Sequence, residues 1–190
     1  MDNINQIDTQ IFLFLNDKHN EFFDPIMYYL SDKWFWTPMY LLIAFLIIRH
    51  YKIKGVLILL MVGVVIALCD QTASHLIKNT VMRLRPSHEP ALAHIIHLSK
   101  AGPGGMYGFV SSHAANAFGL ATFLYYVLDD KFRLLKYWLF IWAVLVSYSR
   151  IYNGVHYPSD VVIAAFIGIF IGWTIYKLIV YVENRQLKQD

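Results

Sequence analysis

Along this chain, short polar clusters separate apolar runs of membrane-crossing length. Apolar stretches at about 34–49, 55–77, 110–128, 134–149 and 159–182 each approach or exceed the ~20 residues a helix needs to cross ~30 Å of hydrocarbon. The first is short, with Trp34 and Trp36 placed as interfacial anchors. Upstream, Ile7, Ile11, Phe14 and Leu15 recur at helical spacing, with Asp8, Thr9 and Asn16 elsewhere. Residues 6–16 therefore read as an amphipathic helix, too short to span and suited to the interface. Asp17-Lys18-His19-Asn20 ends it, and Asp24-Pro25 opens a second short helix over 22–31. The pattern predicts an all-α, polytopic transmembrane bundle of five to six membrane helices in a single domain, 1–190. Residues 1–33 form interfacial or partly re-entrant N-terminal helices.

Basic residues orient the bundle. Arg49, Lys52 and Lys54, then Lys131, Arg133 and Lys136, then Lys177, Arg185 and Lys188 fall at one end, nine of the 16 Lys and Arg. The positive-inside rule makes that end cytoplasmic. The 78–109 segment and the 150–158 turn then share the extracytoplasmic side. Within the former, 86–108 is one long loop with Pro86, Pro90, Gly102, Pro103, Gly104, Gly105 and Gly108, a length usually functional or mobile in a compact bundle.

Composition supports this class and excludes others. The chain is 57% hydrophobic and 16% aromatic, with mean hydropathy +0.45, too apolar for a soluble domain of 190 residues. A net charge of +3 with dispersed basic residues makes no case for nucleic acid. The single cysteine, Cys69, offers neither a disulfide framework nor a cysteine metal site. The N-terminus has no basic segment before an apolar core, so no cleavable signal peptide is expected. No internal repeat is evident.

Three polar clusters stand at the extracytoplasmic ends of these runs. In the first, Lys78 and Arg85 are seven residues apart, two helical turns, which predicts one shared face, and Pro86 turns Arg85 out of helical geometry. Two such cations suit a phosphate dianion; the plainer reading is a basic helix end drawn to lipid headgroups. In the second, Ser111, Ser112 and His113 precede an Ala-rich helix, Ser111 or Ser112 as N-cap. The free N–H groups of that helix start make an anion site, and His113 in its first turn is placed to protonate a departing oxygen. The plainer reading is a capped helix with an incidental histidine. The third runs from Ser149 and Arg150 through His156 to Asp160. Asp160, four residues after His156, is near enough to fix its tautomer and leave the other nitrogen free to attack. Arg150 supplies a planar fork for phosphate oxygens, or, more plainly, an interfacial snorkelling side chain.

Together these clusters resemble the three signature motifs of the type 2 phosphatidic acid phosphatase superfamily: Lys-x6-Arg-Pro, Pro-Ser-x-His and Ser-Arg-x5-His-x3-Asp. Lys78 to Pro86 fits the first in full, and Ser149, Arg150, His156 and Asp160 fit the third. The second is matched at Ser111 and His113, with Val110 where the pattern has proline. The resemblance spans about 65–182. It implies a phosphohistidine mechanism in which His156 is the nucleophile oriented by Asp160. Lys78, Arg85, Arg150 and Ser111 bind the phosphoryl oxygens, and His113 protonates the leaving group and then activates water. It implies no metal and no cofactor, and the sequence lacks the paired carboxylates a two-metal site wants.

Supporting residues are read more loosely. Asp70, Ser74 and Lys78 lie four apart along one stripe, so Asp70 either steadies Lys78 or another cation or is a tolerated near-interface aspartate. Ser112, Asn116, Tyr152 and Asn153 are further supporting candidates. His88, His94 and His97 read as ordinary loop histidines rather than a zinc site.

The expected function is hydrolysis of a lipid phosphate or diphosphate at the outer surface of a bacterial cytoplasmic membrane. Small chain size and a minimal N-terminus are similar to bacterial undecaprenyl-diphosphate phosphatases, a resemblance that makes undecaprenyl diphosphate the first expectation. Lipid A and phosphatidylglycerol phosphate are served by the same motifs, and a lipid phosphotransferase would share every residue named. A non-catalytic headgroup-binding protein needs only the cations, and the retained histidines count against it. The expected partners are the lipid phosphate and surrounding membrane lipids, with no nucleic acid and no obligate protein partner inferred.

Overall fold

Helices form at each expected apolar stretch, but they differ in length and in what they face. The structure, a computed structural model, describes residues 2–186, with side chains over 5–185. Its helices are α1 (Asp2–Asn16), α2 (Phe23–Ser31), α3 (Thr37–Tyr51), α4 (Ile53–Asp70), α5 (Lys78–Val81), α6 (Ser112–Val127), α7 (Arg133–Tyr152) and α8 (Pro158–Gln186). The described residues contain no strand beyond an isolated antiparallel bridge between Leu84 and Tyr107. Lys188, assigned to the cytoplasmic end, lies outside them.

Three rods have the length and apolarity to cross a membrane: Ile53–Val81, Asp130–Tyr152 and Pro158–Arg185. The five apolar stretches expected as membrane helices are all helical, and three of them have the length to cross alone. The 15 residues of α3 and the 16 of α6 reach only about 22–24 Å at 1.5 Å per residue. For α6 the reason is its central place, where it packs on α8, α7 and α4. Ala114, Ala115, Ala117, Ala121, Phe123 and Leu124 are all buried. A helix surrounded by protein need not span the full hydrocarbon thickness by itself.

Lipid is as apolar as leucine, so helices in it associate by close packing of small residues rather than by hydrophobic burial. The α6–α8 contact follows this rule. A Cβ at Gly168 would collide with the Ala115 carbonyl, and one at Gly172 would lie 2.5 Å from the Gly119 carbonyl oxygen. Gly119 in turn faces Cys69 of α4, where a Cβ would come 2.7 Å from its Sγ. Large side chains point outward instead, among them Leu41, Phe45, Leu57, Leu60, Phe166 and Phe170.

The first long rod is not a uniform α-helix. Between α4 and α5, Gln71–Ile77 is π-helical, with Lys78 N–H donating to the Ala73 carbonyl. This inserted residue re-phases the predicted Asp70–Ser74–Lys78 stripe. The rod stops at Met82, whose φ of 48° is left-handed. Arg85 is extended (φ −71°, ψ 156°) ahead of Pro86. Lys78 and Arg85 therefore do not share a helical face, contrary to their spacing.

At the N-terminus, α1 has the reverse of a soluble surface helix. Ile7, Ile11 and Phe14 are exposed, while Asp8, Phe12 and Asn16 turn inward. Asn16 Nδ2 donates to the carbonyls of His97 (3.0 Å) and Tyr152 (2.8 Å), and its Oδ1 accepts from His97 N–H at 2.7 Å. At the other end of the bundle His50 Nε2 meets Asp129 Oδ2 at 2.9 Å, joining the α3–α4 and α6–α7 turns.

Gly168→Leu should lower thermal stability in detergent by about 1–3 kcal/mol through overpacking, while Phe166→Leu on the exposed side of the same helix should change little. An unaltered melting curve for Gly168→Leu would show that α6 and α8 do not meet this closely.

Candidate active site

The site is assembled where α7 ends and α8 begins. Arg150 lies in the last turn of α7, buried, with its carbonyl accepting from Val155 N–H at 3.1 Å. Gly154 closes the turn at φ +77°, where a Cβ would lie 2.6 Å from the His97 carbonyl oxygen, so a larger residue is excluded on both counts. The turn delivers His156, which is 1% exposed. Pro158 opens α8, and Asp160 in its first turn is fully buried.

Asp160 carries the local network. Its Oδ2 lies 3.3 Å from His156 Nδ1 and accepts Tyr157 N–H at 3.0 Å. Its Oδ1 accepts Arg83 Nη1 at 3.0 Å. Its backbone carbonyl accepts Ser111 N–H at 3.1 Å, tying the start of α6 to α8. With Nδ1 engaged, Nε2 of His156 is the nitrogen left for chemistry.

Around this histidine the three predicted cations converge. Lys78, Arg85 and Arg150 all bear electrostatically on both His156 and His113. Lys78 Nζ donates to Ser112 Oγ at 3.5 Å. Arg85 Nε donates to the Tyr107 carbonyl at 3.1 Å, and its backbone N–H to Met106 O at 3.1 Å. The glycine loop follows the arginine closely. A Cβ at Gly104 would sit 2.5 Å from Arg85 Nη1, and one at Gly108 3.0 Å from both Arg85 Cγ and Asp160 Oδ2. Arg150 Nη1 donates to Ser31 Oγ at the end of α2. Two further polar atoms, Arg150 Nε and Ser111 Oγ, are buried without a protein partner. A guanidinium N–H and a hydroxyl without protein acceptors, next to Lys78 and Arg85, have the chemistry to hydrogen-bond an oxyanion.

Each predicted site residue now has a place. His156, Asp160, His113, Lys78, Arg85, Arg150, Ser111 and Ser112 come together at one end of the bundle. Ser111 sits at the N-cap of α6, but its side chain makes no capping bond, which leaves the hydroxyl available. Ser149 points elsewhere, donating to the Val146 carbonyl at 2.7 Å. Val110, in the position of the motif proline, is fully buried in the core, and the loop still brings Ser111 to Asp160. Asp70 accepts from Ser74 Oγ at 3.2 Å and makes no ion pair with Lys78. Tyr152 and Asn153 do not reach the site. Tyr152 Oη donates to Asp24 Oδ1 at 2.7 Å and Asn153 Nδ2 to the Met27 carbonyl at 3.0 Å, so they moor the α1–α2 region. His97 joins the same mooring, its Nε2 3.1 Å from Asp24 Oδ1.

A cavity of about 570 Å³ opens beside the site between α3, α4, α6 and α7. Its walls are largely apolar, with Ile43, Ile66, Leu120 and Trp142 among them, and Ser31, Lys33, Asp70, Ser112, His113 and Asn116 contribute polar groups. Asn116 Oδ1 is buried without a partner.

Sequence reasoning passed over Arg83 and Asp8. Arg83 stands in the variable stretch of the first motif, and Asp8 looked like the solvent side of an amphipathic helix. The one available signal was a carboxylate within a helix that has no other acidic residue between positions 3 and 16.

A membrane-embedded helical bundle with a histidine–aspartate pair under three cations and an apolar cavity alongside defines a class, the integral membrane lipid phosphatases. The profile of the PAP2 superfamily matches residues 54–183, and the chain belongs to that family. It is 38% identical over 189 residues to a lipid A 4'-phosphatase of Bacteroides thetaiotaomicron, covering 98% of this chain and 83% of that protein. It is 36% identical over 192 residues to a lipid A 4'-phosphatase of Porphyromonas gingivalis, covering 98% and 79%. The crystal structure of a transmembrane PAP2-type phosphatidylglycerolphosphate phosphatase from Bacillus subtilis superposes with a TM-score of 0.69 at 22% identity, over 96% of this chain and 89% of that one. The structure of Aquifex aeolicus LpxE gives 0.57 at 30% identity, over 89% and 94%. The first of these two speaks to the fold alone.

His156 lies in the turn between the two rods, and its environment sets its protonation. Burial first, then Arg85, Arg150 and Lys78, push its pKa well below the ordinary 6.5, against a smaller opposing effect from the Gly108 backbone. The imidazole is therefore neutral at pH 7, with a free lone pair. Because the folded pKa lies below the unfolded one, protonation favours unfolding, so stability falls as pH drops through about 6.5 toward the folded value. In ¹⁵N-histidine NMR of phosphate-free protein, His156 should titrate below 6.5; titration at or above that value would mean that burial and the three cations do not govern it.

Proposed function

We propose that this protein removes a phosphate monoester from a lipid A-type glycolipid, at the 4' position, through a phosphohistidine intermediate. In this reading His156 Nε2 attacks phosphorus while Asp160 holds Nδ1–H. The N–P bond forms as the P–O bond to the sugar breaks, and His113 gives its proton to the departing sugar oxygen. Lys78, Arg85, Arg150 and the Ser111 hydroxyl take the charge that gathers on the phosphoryl oxygens. His113 then takes a proton from water, the water oxygen attacks phosphorus, and inorganic phosphate leaves as His156 is restored. The active end faces the extracytoplasmic side of a bacterial cytoplasmic membrane, as the distribution of Lys and Arg supports.

One observation carries the choice of substrate: the cavity that includes His113 also includes Asp70 and the unpartnered Asn116 Oδ1. A sugar leaving group can donate hydroxyls to both acceptors. Undecaprenyl diphosphate, favoured on chain size, would instead leave an anionic lipid phosphate, which meets the Asp70 carboxylate as well as Lys33 and gains less from two acceptors. The names of the relatives at 38% and 36% identity support the same choice.

The test is phosphate release by purified protein from lipid A, undecaprenyl diphosphate and phosphatidylglycerol phosphate, with EDTA present and the product position read by mass spectrometry. Lipid A should give the highest kcat/KM, and His156→Ala should lose roughly a thousandfold or more. Faster turnover of the prenyl diphosphate would overturn the substrate, and activity retained in His156→Ala would overturn the mechanism. Asp70→Asn should lower kcat/KM for lipid A by about tenfold, about 1.4 kcal/mol, and narrow its advantage over the diphosphate.

A further inference from the structure

The N-terminal helix reaches the reaction centre through one arginine. Arg83 directs Nη1 to Asp160 Oδ1 (3.0 Å) and Ser159 Oγ (2.8 Å), and Nη2 to Asp8 Oδ2 (2.7 Å). Its guanidinium lies over the Tyr157 ring, 4.0 Å from the centroid. Asp8 Oδ1 accepts Ser159 N–H at 2.9 Å, capping the first turn of α8 from another helix, and its Oδ2 accepts the Ser159 hydroxyl. Asp8 is 6% exposed and Asp160 not at all. We propose that Asp8 is a positioning residue, which acts through Arg83 to fix the orientation and charge balance of Asp160 and so of His156.

Two physical points separate this from a mere tether. A guanidinium is rigid and planar, so the angle at which it meets Asp160 is set by what holds its other edge. That holder is Asp8, with Tyr157 defining the plane. Secondly, one cation is shared by two carboxylates. With the Asp8 charge removed, Arg83 acts on Asp160 alone, and Asp160 becomes a weaker acceptor for the His156 Nδ1–H. His156 then stabilises positive charge less well as the phosphoryl group is transferred. The charged and titratable groups around His156 are Asp160 and, through it, Arg83, with Lys78, Arg85, Arg150 and His113 on the remaining sides. Of these groups, a change at position 8 reaches only the Arg83–Asp160 edge, its other effect being on the uncharged Ser159 bonds.

This inference rests on the proposed roles of His156 and Asp160. The experiment uses the full chain, with lipid A as substrate, in Asp8→Asn, Asp8→Glu, Arg83→Lys and the Asp8→Asn/Arg83→Lys double variant, alongside His156→Ala. Asp8→Asn should lower kcat by about tenfold to a hundredfold, by analogy with the outer partners that orient metal-bound histidines. KM should stay within about twofold, since no phosphate contact changes, and the acid limb of the kcat/KM profile should move to lower pH because a nearby negative charge is gone. Asp8→Glu, which keeps the charge, should hold that limb at its wild-type position. Since Asp8 acts through Arg83, the double variant should be no slower than Arg83→Lys alone. A wild-type kcat and pH profile in Asp8→Asn, or strictly additive losses in the double variant, would overturn the inference. The same holds if the Asp8→Asn loss tracks its melting temperature with the acid limb unmoved. Should Asp8→Asn fail to fold, the Asp8→Glu profile decides, since a limb shifted despite the retained charge also counts against it. Activity surviving in His156→Ala would instead bring down the mechanism beneath.

Discussion

A buried carboxylate governs the architecture of this protein. Asp160 has no access to solvent, and an ionised group in that position needs several donors around it to persist. Its carboxylate finds them in the Tyr157 amide and the His156 ring of its own turn and in the Arg83 guanidinium far along the chain, while its backbone carbonyl accepts the Ser111 amide. Satisfying this one residue forces the α7–α8 turn, the chain after Met82 and the start of α6 to meet at a point. Arg85 and Arg150 are carried there on the same segments, and Lys78 on the rod that precedes them.

The bundle makes that meeting possible by keeping its core narrow. Gly119, Gly168 and Gly172 let α6 and α8 approach at backbone distance, so α6 can be short and central while longer rods face lipid. Its N-terminus then opens within the protein, beside the cavity, with Ser111 and His113 at the mouth. The π-helical turn at Gln71–Ile77 adjusts the other wall, aiming Lys78 at Ser112 rather than along the stripe that holds Asp70.

The N-terminal helices illustrate the limits of pattern reading. Periodicity placed α1 correctly as amphipathic, and its exposed Ile7, Ile11 and Phe14 suit a lipid-facing side. What periodicity does not encode is that the polar residues of such a helix face protein. Asp8 and Asn16 are buried against α8, α7 and the 86–108 loop, and Ser31 meets Arg150. In a membrane interface the usual equation of polar with outward fails, because the apolar side is the one facing the surroundings.

Taken alone, the sequence determined the helical membrane class, the position of each apolar rod and the identity of the eight residues that gather at the site. Those rest on local signals: run length, helix-opening residues and motif spacing within each segment. The tertiary structure decided which spans are full length, that Lys78 and Arg85 meet without sharing a helix face, and that Asp8 and Arg83 stand behind Asp160. These depend on a left-handed residue at Met82, a π-helical insertion and contacts such as Asp8–Ser159, 151 residues apart along the chain. Such features arise only when separate helices must satisfy one another's buried polar groups, a condition no single segment records.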